Sequence, residues 1–104
     1  MKAYKVLIDP LAKQDVLDIR RYISVTLKEP AIAKRIYTSI KMTISTLDHN
    51  PKRHALVREE PYTSLGIRTL PVENYIVFYI VDESAQIVHV FRVLYNRREW
   101  QNLL

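Results

Sequence analysis

The chain has no cysteine and a single glycine among its 104 residues. Without cysteine there can be no disulfide, no thiolate zinc site and no cysteine nucleophile, a composition that suits a reducing compartment. Nucleotide-binding fingerprints set several glycines at fixed spacing so that the backbone can approach phosphate. One glycine excludes them, and no cofactor is expected. No apolar run reaches the roughly 18 residues of a membrane span. The opening Met1-Lys2-Ala3-Tyr4-Lys5 leads into a short apolar stretch that ends at Asp9, too brief for the core of a signal peptide. A cytoplasmic bacterial protein with no membrane partner is expected. His49 and His54 flank a loop, but no third ligand follows at matching spacing, so no metal site is expected.

What is present points to a folded chain. Hydrophobic residues make up 48% and charged residues 26%, enough for one domain over residues 1–104 with one core. The formal net charge is +5. Such an excess serves solubility, or it meets an acidic partner, either nucleic acid or an acidic protein.

Residues 3–9 read as a first strand. Asp9-Pro10 then opens a helix, since aspartate caps well and proline suits the first helical position. Ala12, Val16, Ile19 and Ile23 follow at helical spacing, with Lys13, Asp15, Asp18 and Arg20 between them, to about Leu27. Glu29-Pro30 repeats the punctuation. Ala33, Ile36, Ile40, Ile44 and Leu47 form a second stripe to about Asp48, and the short connection makes the two helices an antiparallel hairpin. Residues 51–64 are polar and suit an exposed loop. Three strand-like runs come next, about 65–71, 75–82 and 86–95, separated by turns short enough for hairpins. The run 75–81 is apolar at every position, as expected of a central strand covered on both faces. Residues 97–104 suggest a short terminal helix with Trp100, Leu103 and Leu104 as apolar contacts. The predicted class is α+β in the order β-α-α-β-β-β. An antiparallel meander sheet carries the helical hairpin on one face.

Three segments in this order resemble the RelE/ParE superfamily of toxins. The first is the opening strand, Asp9-Pro10-Leu11-Ala12, then Asp15, Ile19 and Tyr22-Ile23. The second is Arg68-Thr69-Leu70-Pro71 followed by Asn74-Tyr75-Ile76-Val77-Phe78-Tyr79. The third is Ile87-Val88-His89-Val90-Phe91-Arg92-Val93-Leu94-Tyr95. The resemblance implies a growth-arresting toxin silenced by a cognate acidic antitoxin. It does not imply one chemistry, because RelE-type members cut messenger RNA in the ribosomal A site whereas ParE-type members block DNA gyrase.

RelE-type enzymes carry an arginine on the central strand, another after the last strand and a tyrosine near the C-terminus. The matching positions here are Ile76, Asn96 and Asn102. A shift of register brings in Arg97 or Arg98, but nothing replaces Ile76. A subset resembling YoeB ends on a histidine–tyrosine pair, of which Leu94 and Tyr95 keep only the tyrosine. The ParE pattern fits more closely: Tyr75 to Tyr79 matches its Tyr-aliphatic-aliphatic-Phe-Tyr strand. Arg92-Val93-Leu94-Tyr95 with Arg97-Arg98-Glu99 matches its ending, apart from Tyr95 in place of histidine. The reading is therefore a ParE-like gyrase inhibitor, with a ribosome-dependent endoribonuclease as the alternative. A non-toxic basic nucleic-acid-binding module and an orphaned interaction domain are further alternatives.

As a ribonuclease the chain would rely on Arg68 and Arg92 for phosphate charge and on Tyr95 for proton transfer. As a binding toxin it would use Arg92, Tyr95, Arg97, Arg98 and Trp100 toward target or antitoxin. The antitoxin is expected on an exposed apolar surface flanked by basic residues, near the last strand and the terminal helix. The plainer readings stand beside these. Strict alternation puts Arg92 on the face of Val88, Val90 and Leu94, where a charge needs a carboxylate or chain terminus for a partner. Arg68 is an ordinary strand cation, Tyr95 a core cap, and His89 a packed histidine beside Phe91 and Val93. Lys52, Arg53 and Arg58 belong to a solvated loop or steer an acidic partner.

Overall fold

The computed structural model describes residues 3–96 and Leu104. Strand β1 (Lys5–Ile8) leads into helix α1 (Pro10–Arg21), then α2 (Pro30–Ser45), β2 (Arg68–Val72), β3 (Tyr75–Asp82) and β4 (Ile87–Tyr95). This is the expected α+β order. The expected terminal helix falls on residues 97–103, outside the described ones.

Pro10 starts α1 at its first position, and the Lys13 amide donates to the Asp9 carbonyl at 3.0 Å. The helix does not run evenly to Leu27. After Arg21 it widens into a π turn over Tyr22–Thr26, closed by the Leu27 amide on the Tyr22 carbonyl at 3.0 Å. Lys28 then takes left-handed backbone at φ 56°. The Glu29 amide reaches back to the Ile23 carbonyl at 3.0 Å, a helix stop that usually employs glycine. In this glycine-poor chain, lysine bears the strain.

The sheet order is β1-β4-β3-β2. The last three strands form the antiparallel meander, and β1 pairs with β4 in parallel. Between β3 and β4 the register shifts: Phe78 faces Arg92 while Tyr79 faces Val90. Phe91 is the extra residue of a β-bulge. The bulge overturns the strict alternation read from the sequence. Val88, Val90 and Val93 face the helices, whereas Leu94 turns to the other side. His89 accordingly does not share its side with Val93.

Two apolar clusters result. The main core lies between sheet and helices, with Ala12, Val16, Ile40, Ile44, Val77 and Tyr79 at its centre. The second covers the outer face, where Phe78 and Leu94 meet Val57 and Ile67, with Ile76, Ile80, Phe91 and Leu104 packed around them. These clusters explain why every residue of 75–81 is apolar: β3 lies inside the sheet and has a core on each side. They also correct the reading of 51–64 as an exposed loop. Pro51 and Val57 are buried, because the segment folds back along β2. The Val57 amide bonds the Ile67 carbonyl at 2.8 Å and the Thr69 amide bonds the Ala55 carbonyl at 3.1 Å.

Ile40 has no accessible surface. Replacing it with Asp places an unpaired carboxylate in the main core, at a cost of several kcal/mol or more. The variant is expected to lose cooperative thermal unfolding by circular dichroism. A stable, cooperatively melting Ile40→Asp protein would refute this packing.

Candidate functional site

An open groove of about 720 Å³ lies between the helical hairpin and one end of the sheet. Ile19 and Ile23 of the first helical arm and Ile32 and Ile36 of α2 form its walls, and Val93 and Leu94 line it from β4. Tyr22, Tyr75 and Tyr95 also line it; Tyr75 and Tyr95 meet edge to face with ring centroids 5.7 Å apart. Tyr22 is 54% exposed and Leu27 50%. The π turn delivers both, a local device that recurs at functional sites. Burial, reinforced by the neighbouring Tyr95 and Tyr22 phenols, raises the Tyr75 pKa above its ordinary value. A phenol held neutral in this way is a poor general base near neutrality. The charged residues lining the groove are Asp15 and Asp18, with no lysine or arginine. Of the basic residues expected to flank it, Arg92 is bonded to Asp15, while Arg97 and Arg98 lie outside the described residues.

Beside the groove, Asp15 and Arg92 join α1 to β4. Arg92 Nε donates to Asp15 Oδ2 at 2.8 Å and Nη2 donates to Oδ1 at 2.9 Å. The same Oδ2 accepts the Val93 amide at 2.9 Å. Their side chains are only 15% and 11% exposed. The carboxylate raises the Arg92 pKa through these bonds, against the opposing effect of burial. The two-pronged geometry is the strongest form of this pair, and the third bond fixes the backbone just after the bulge.

The family described as the ParE toxin of the type II toxin–antitoxin system parDE matches residues 6–100. The chain belongs to the ParE toxin family. It is thus a type II toxin of the RelE/ParE superfamily. Solved structures share the fold. A chain of the chromosomal ParDE system from P. aeruginosa superposes with a TM-score of 0.73 at 19% identity, covering 89% of this chain and 96% of that one. The RelBE2 toxin–antitoxin complex from Mycobacterium tuberculosis gives 0.63 at 20% identity, over 91% and 93%. The RelE–RelB complex from Pyrococcus horikoshii gives 0.61 at 12%, over 92% and 98%. No curated protein sequence matches.

In this ParE-family chain Arg68 and Tyr95, both singled out from sequence, do not converge. Arg68 lies opposite Tyr79 in the sheet, and Tyr95 lies opposite Tyr75. Four residues of β3 separate those two levels, roughly 13 Å at the rise of a strand. Arg68 donates to the carbonyls of Lys52 at 3.1 Å and His54 at 2.7 Å, anchoring the loop. Arg53 likewise bonds the carbonyls of Asn50 at 3.0 Å and Thr46 at 3.3 Å, and that of His49. It clasps the end of the second helical arm and is not a free loop cation. Ile76, at the position of the RelE central-strand arginine, packs in the outer apolar cluster. Asn96 is exposed. Arg97, Arg98, Trp100 and Asn102 lie outside the described residues. Among those described, no group of three or more His, Asp or Glu is placed to hold a metal ion, and no helix is long and apolar enough to cross a membrane.

Sequence reasoning missed the role of Asp15, although a signal existed. Asp15 follows Ala12 by three and precedes Ile19 by four, so it shares the buried face of α1. An acid on that stripe and an arginine on an aliphatic strand are complementary anomalies. Tyr22 and the π turn had no comparable signal.

Below the groove, the Tyr79 hydroxyl donates to the Pro51 carbonyl at 2.5 Å, and burial pushes its pKa up to about 12. His54 stands edge-on to Tyr79 with centroids 6.4 Å apart, and its Nε2 is buried without a hydrogen-bond partner. Burial first, then Arg53 and Arg68, lower its pKa below 6.5.

Two outcomes follow from these contacts. Asp15→Ala takes the carboxylate away from the Arg92 guanidinium and the Val93 amide in a mostly buried site and should destabilise the fold by about 3 kcal/mol in urea titration. The apolar double variant Asp15→Leu/Arg92→Met should recover much of that loss, and equal instability of both would refute the pairing argument. For His54, folded and unfolded chains are both neutral well above pH 6.5, beyond about pH 7.5, so it contributes no slope there. As pH falls from there the unfolded state binds the proton first, and stability drops until the lower folded-state pKa is passed. His54→Leu should flatten this decline as pH falls below about 7.5. An unchanged slope in matched denaturation series would exclude His54 as its source.

Proposed function

We propose that residues 1–104 act as one toxin domain that arrests growth by binding DNA gyrase, not by cutting messenger RNA, and that a cognate antitoxin silences it. The observation that carries this reading is the engagement of the two arginines a ribonuclease would need. Arg92 is bonded to Asp15 through both prongs, and Arg68 to two carbonyls, at separate levels of the sheet. Stabilising a phosphorane requires preorganised donors aimed at its oxygens. Around Ile76 the sheet offers Phe78, Ile80, Phe91 and Leu94, which supply no positive charge.

The groove suits recognition better than catalysis. Its exposed apolar residues, Tyr22, Leu27, Ile32 and Tyr95, form a contiguous surface of the kind that a partner covers. We assign that surface to an apolar segment of the antitoxin. The match to the ParE family and the fold shared with toxin–antitoxin complexes support a partner of this type. Arg97, Arg98 and Trp100 would then contribute to target or antitoxin contact.

The deciding experiment adds purified protein to a gyrase supercoiling assay and, in parallel, to a ribosome–messenger complex read by primer extension. Inhibited supercoiling with intact messenger is expected. Codon-dependent A-site cleavage with unaffected supercoiling would overturn the proposal in favour of the endoribonuclease. An induced chain that leaves growth unchanged would remove the toxin reading altogether.

A further inference from the structure

The helical hairpin has two flanks of opposite character. Toward the groove, α1 shows Asp15 and Asp18. On the far flank it shows Lys13, Leu17 and Arg20, which recur at helical spacing. From α2 come Lys34, Tyr37 and Lys41, again at intervals that share one face. All four cations are exposed. Lys13 and Lys41 border a small recess of about 140 Å³, which Leu17 and Tyr37 also line. The Arg20 guanidinium lies 4.8 Å above the centre of the Tyr37 ring, and the Lys41 ammonium 5.9 Å from it. Within each helix the outer cations stand two turns apart, roughly 10 Å at the rise of an α-helix.

No ion pair balances this seam among the described residues. Lys13, Arg20, Lys34 and Lys41 make no salt bridge there, unlike Arg35, Lys52 and Arg92. The carboxylates of α1 and its cap are turned elsewhere. Asp15 holds Arg92, Asp18 takes the Gln14 amide on the groove side, and Asp9 lies 3.8 Å from His89. Cations gathered on one face repel each other, a cost that a bound anion removes. The Tyr37 hydroxyl makes no hydrogen bond to a described residue, so it remains a donor beside them.

We propose that this seam of the hairpin binds the phosphate backbone of duplex DNA without reading its sequence. Tyr37 donates to a phosphate oxygen, and the ammoniums beside it neutralise the phosphate charge. Lysine suits such a partner, because it acts as a point cation on a flexible stem and needs no fixed fork. Three of the four cations are lysines, and the single arginine lies on the Tyr37 ring. The bidentate forks that carboxylates favour are therefore scarce, which argues against an acidic protein. A single strand is disfavoured as well, since its binders stack bases on open aromatic faces. The one ring here is half-buried, with Arg20 and Lys41 against it. Two helices side by side are too broad for a major groove that admits one, so contact stays on the backbone. The inference goes beyond gyrase binding and does not depend on it.

The test uses the full chain and short fluorescein-labelled duplexes, read by fluorescence anisotropy at low salt. Two duplexes of unrelated sequence should bind equally. Affinity should fall with salt along a slope of about −3 to −4 on logarithmic axes, the value for four neutralised phosphates. Lys13→Glu/Lys41→Glu should weaken binding by about tenfold or more and flatten that slope. Both residues are exposed, so circular dichroism should not change. The milder Lys13→Gln/Lys41→Gln pair should lose affinity in the same direction. Lys5→Glu/Arg58→Glu alters net charge equally at exposed sites away from the hairpin, and should cost less than about threefold. No binding at low salt would overturn the proposal. So would equal losses in the two charge-reversed pairs, which would mark diffuse net charge. Tighter binding of the single strand, or displacement of the duplex by polyglutamate at matched charge, would overturn it in favour of that partner. The assay contains neither gyrase nor ribosome, so its failure is distinct from failure of the toxin reading.

Discussion

Arg92 stands on a strand whose neighbours are aliphatic, at a depth where water solvates it poorly. A guanidinium there must have a carboxylate, and the chain supplies Asp15 from the buried side of α1. Much of the molecule depends on that pairing. The bulge at Phe91 shifts the phase of β4, and Asp15 also accepts the Val93 amide just beyond it. With the shifted phase, Val93 enters the helix-side core and Leu94 the outer one, so a single strand serves both clusters. Holding α1 against β4 also sets one wall of the groove against the tyrosines at the end of the sheet.

The same pairing shapes the electrostatics. A net charge of +5 suggests a surface of available cations, yet several arginines are turned inward. Arg35 is paired with Glu73, Arg92 with Asp15, while Arg53 and Arg68 clasp backbone carbonyls. Among the described residues, the lysines and arginines outside these pairings lie mostly on the helices and β1. The groove itself is apolar and carries aspartates. One fold within this superfamily hosts both cleavage and binding, so chemistry follows the side chains placed on it. Here the face that carries Ile76 is covered by hydrocarbon and the groove by tyrosine and isoleucine.

The α+β order, the hairpin of helices and the meander were legible because each leaves a periodic mark. Val16, Ile40 and Ile44 recur at helical spacing and are buried as that spacing implies. The uninterrupted apolar run of β3 announced two covered faces. The segment after α2 was less legible. Its polar composition concealed the burial of Pro51 and Val57, which goes with hydrogen bonds to residues ten or more positions away. The candidate site was legible only in part. Tyr95 does border a recess, and the plainer reading of Arg92 as a carboxylate-bonded cation describes its geometry, but its partner Asp15 and the carbonyls held by Arg68 were not legible.

By itself, the sequence determined the kinds of element, their order and the family, because periodicity, punctuation and local motifs act over a few residues. Only the tertiary structure decided where β1 lies, which side of β4 each residue faces after Phe91, and which carboxylate meets Arg92. Those outcomes join residues as far apart as 15 and 92 or 5 and 87. A one-residue bulge reverses the facing of everything beyond it. No local pattern records such a shift. It emerges from the requirement that a buried guanidinium and a strand amide share one carboxylate while two apolar faces remain covered.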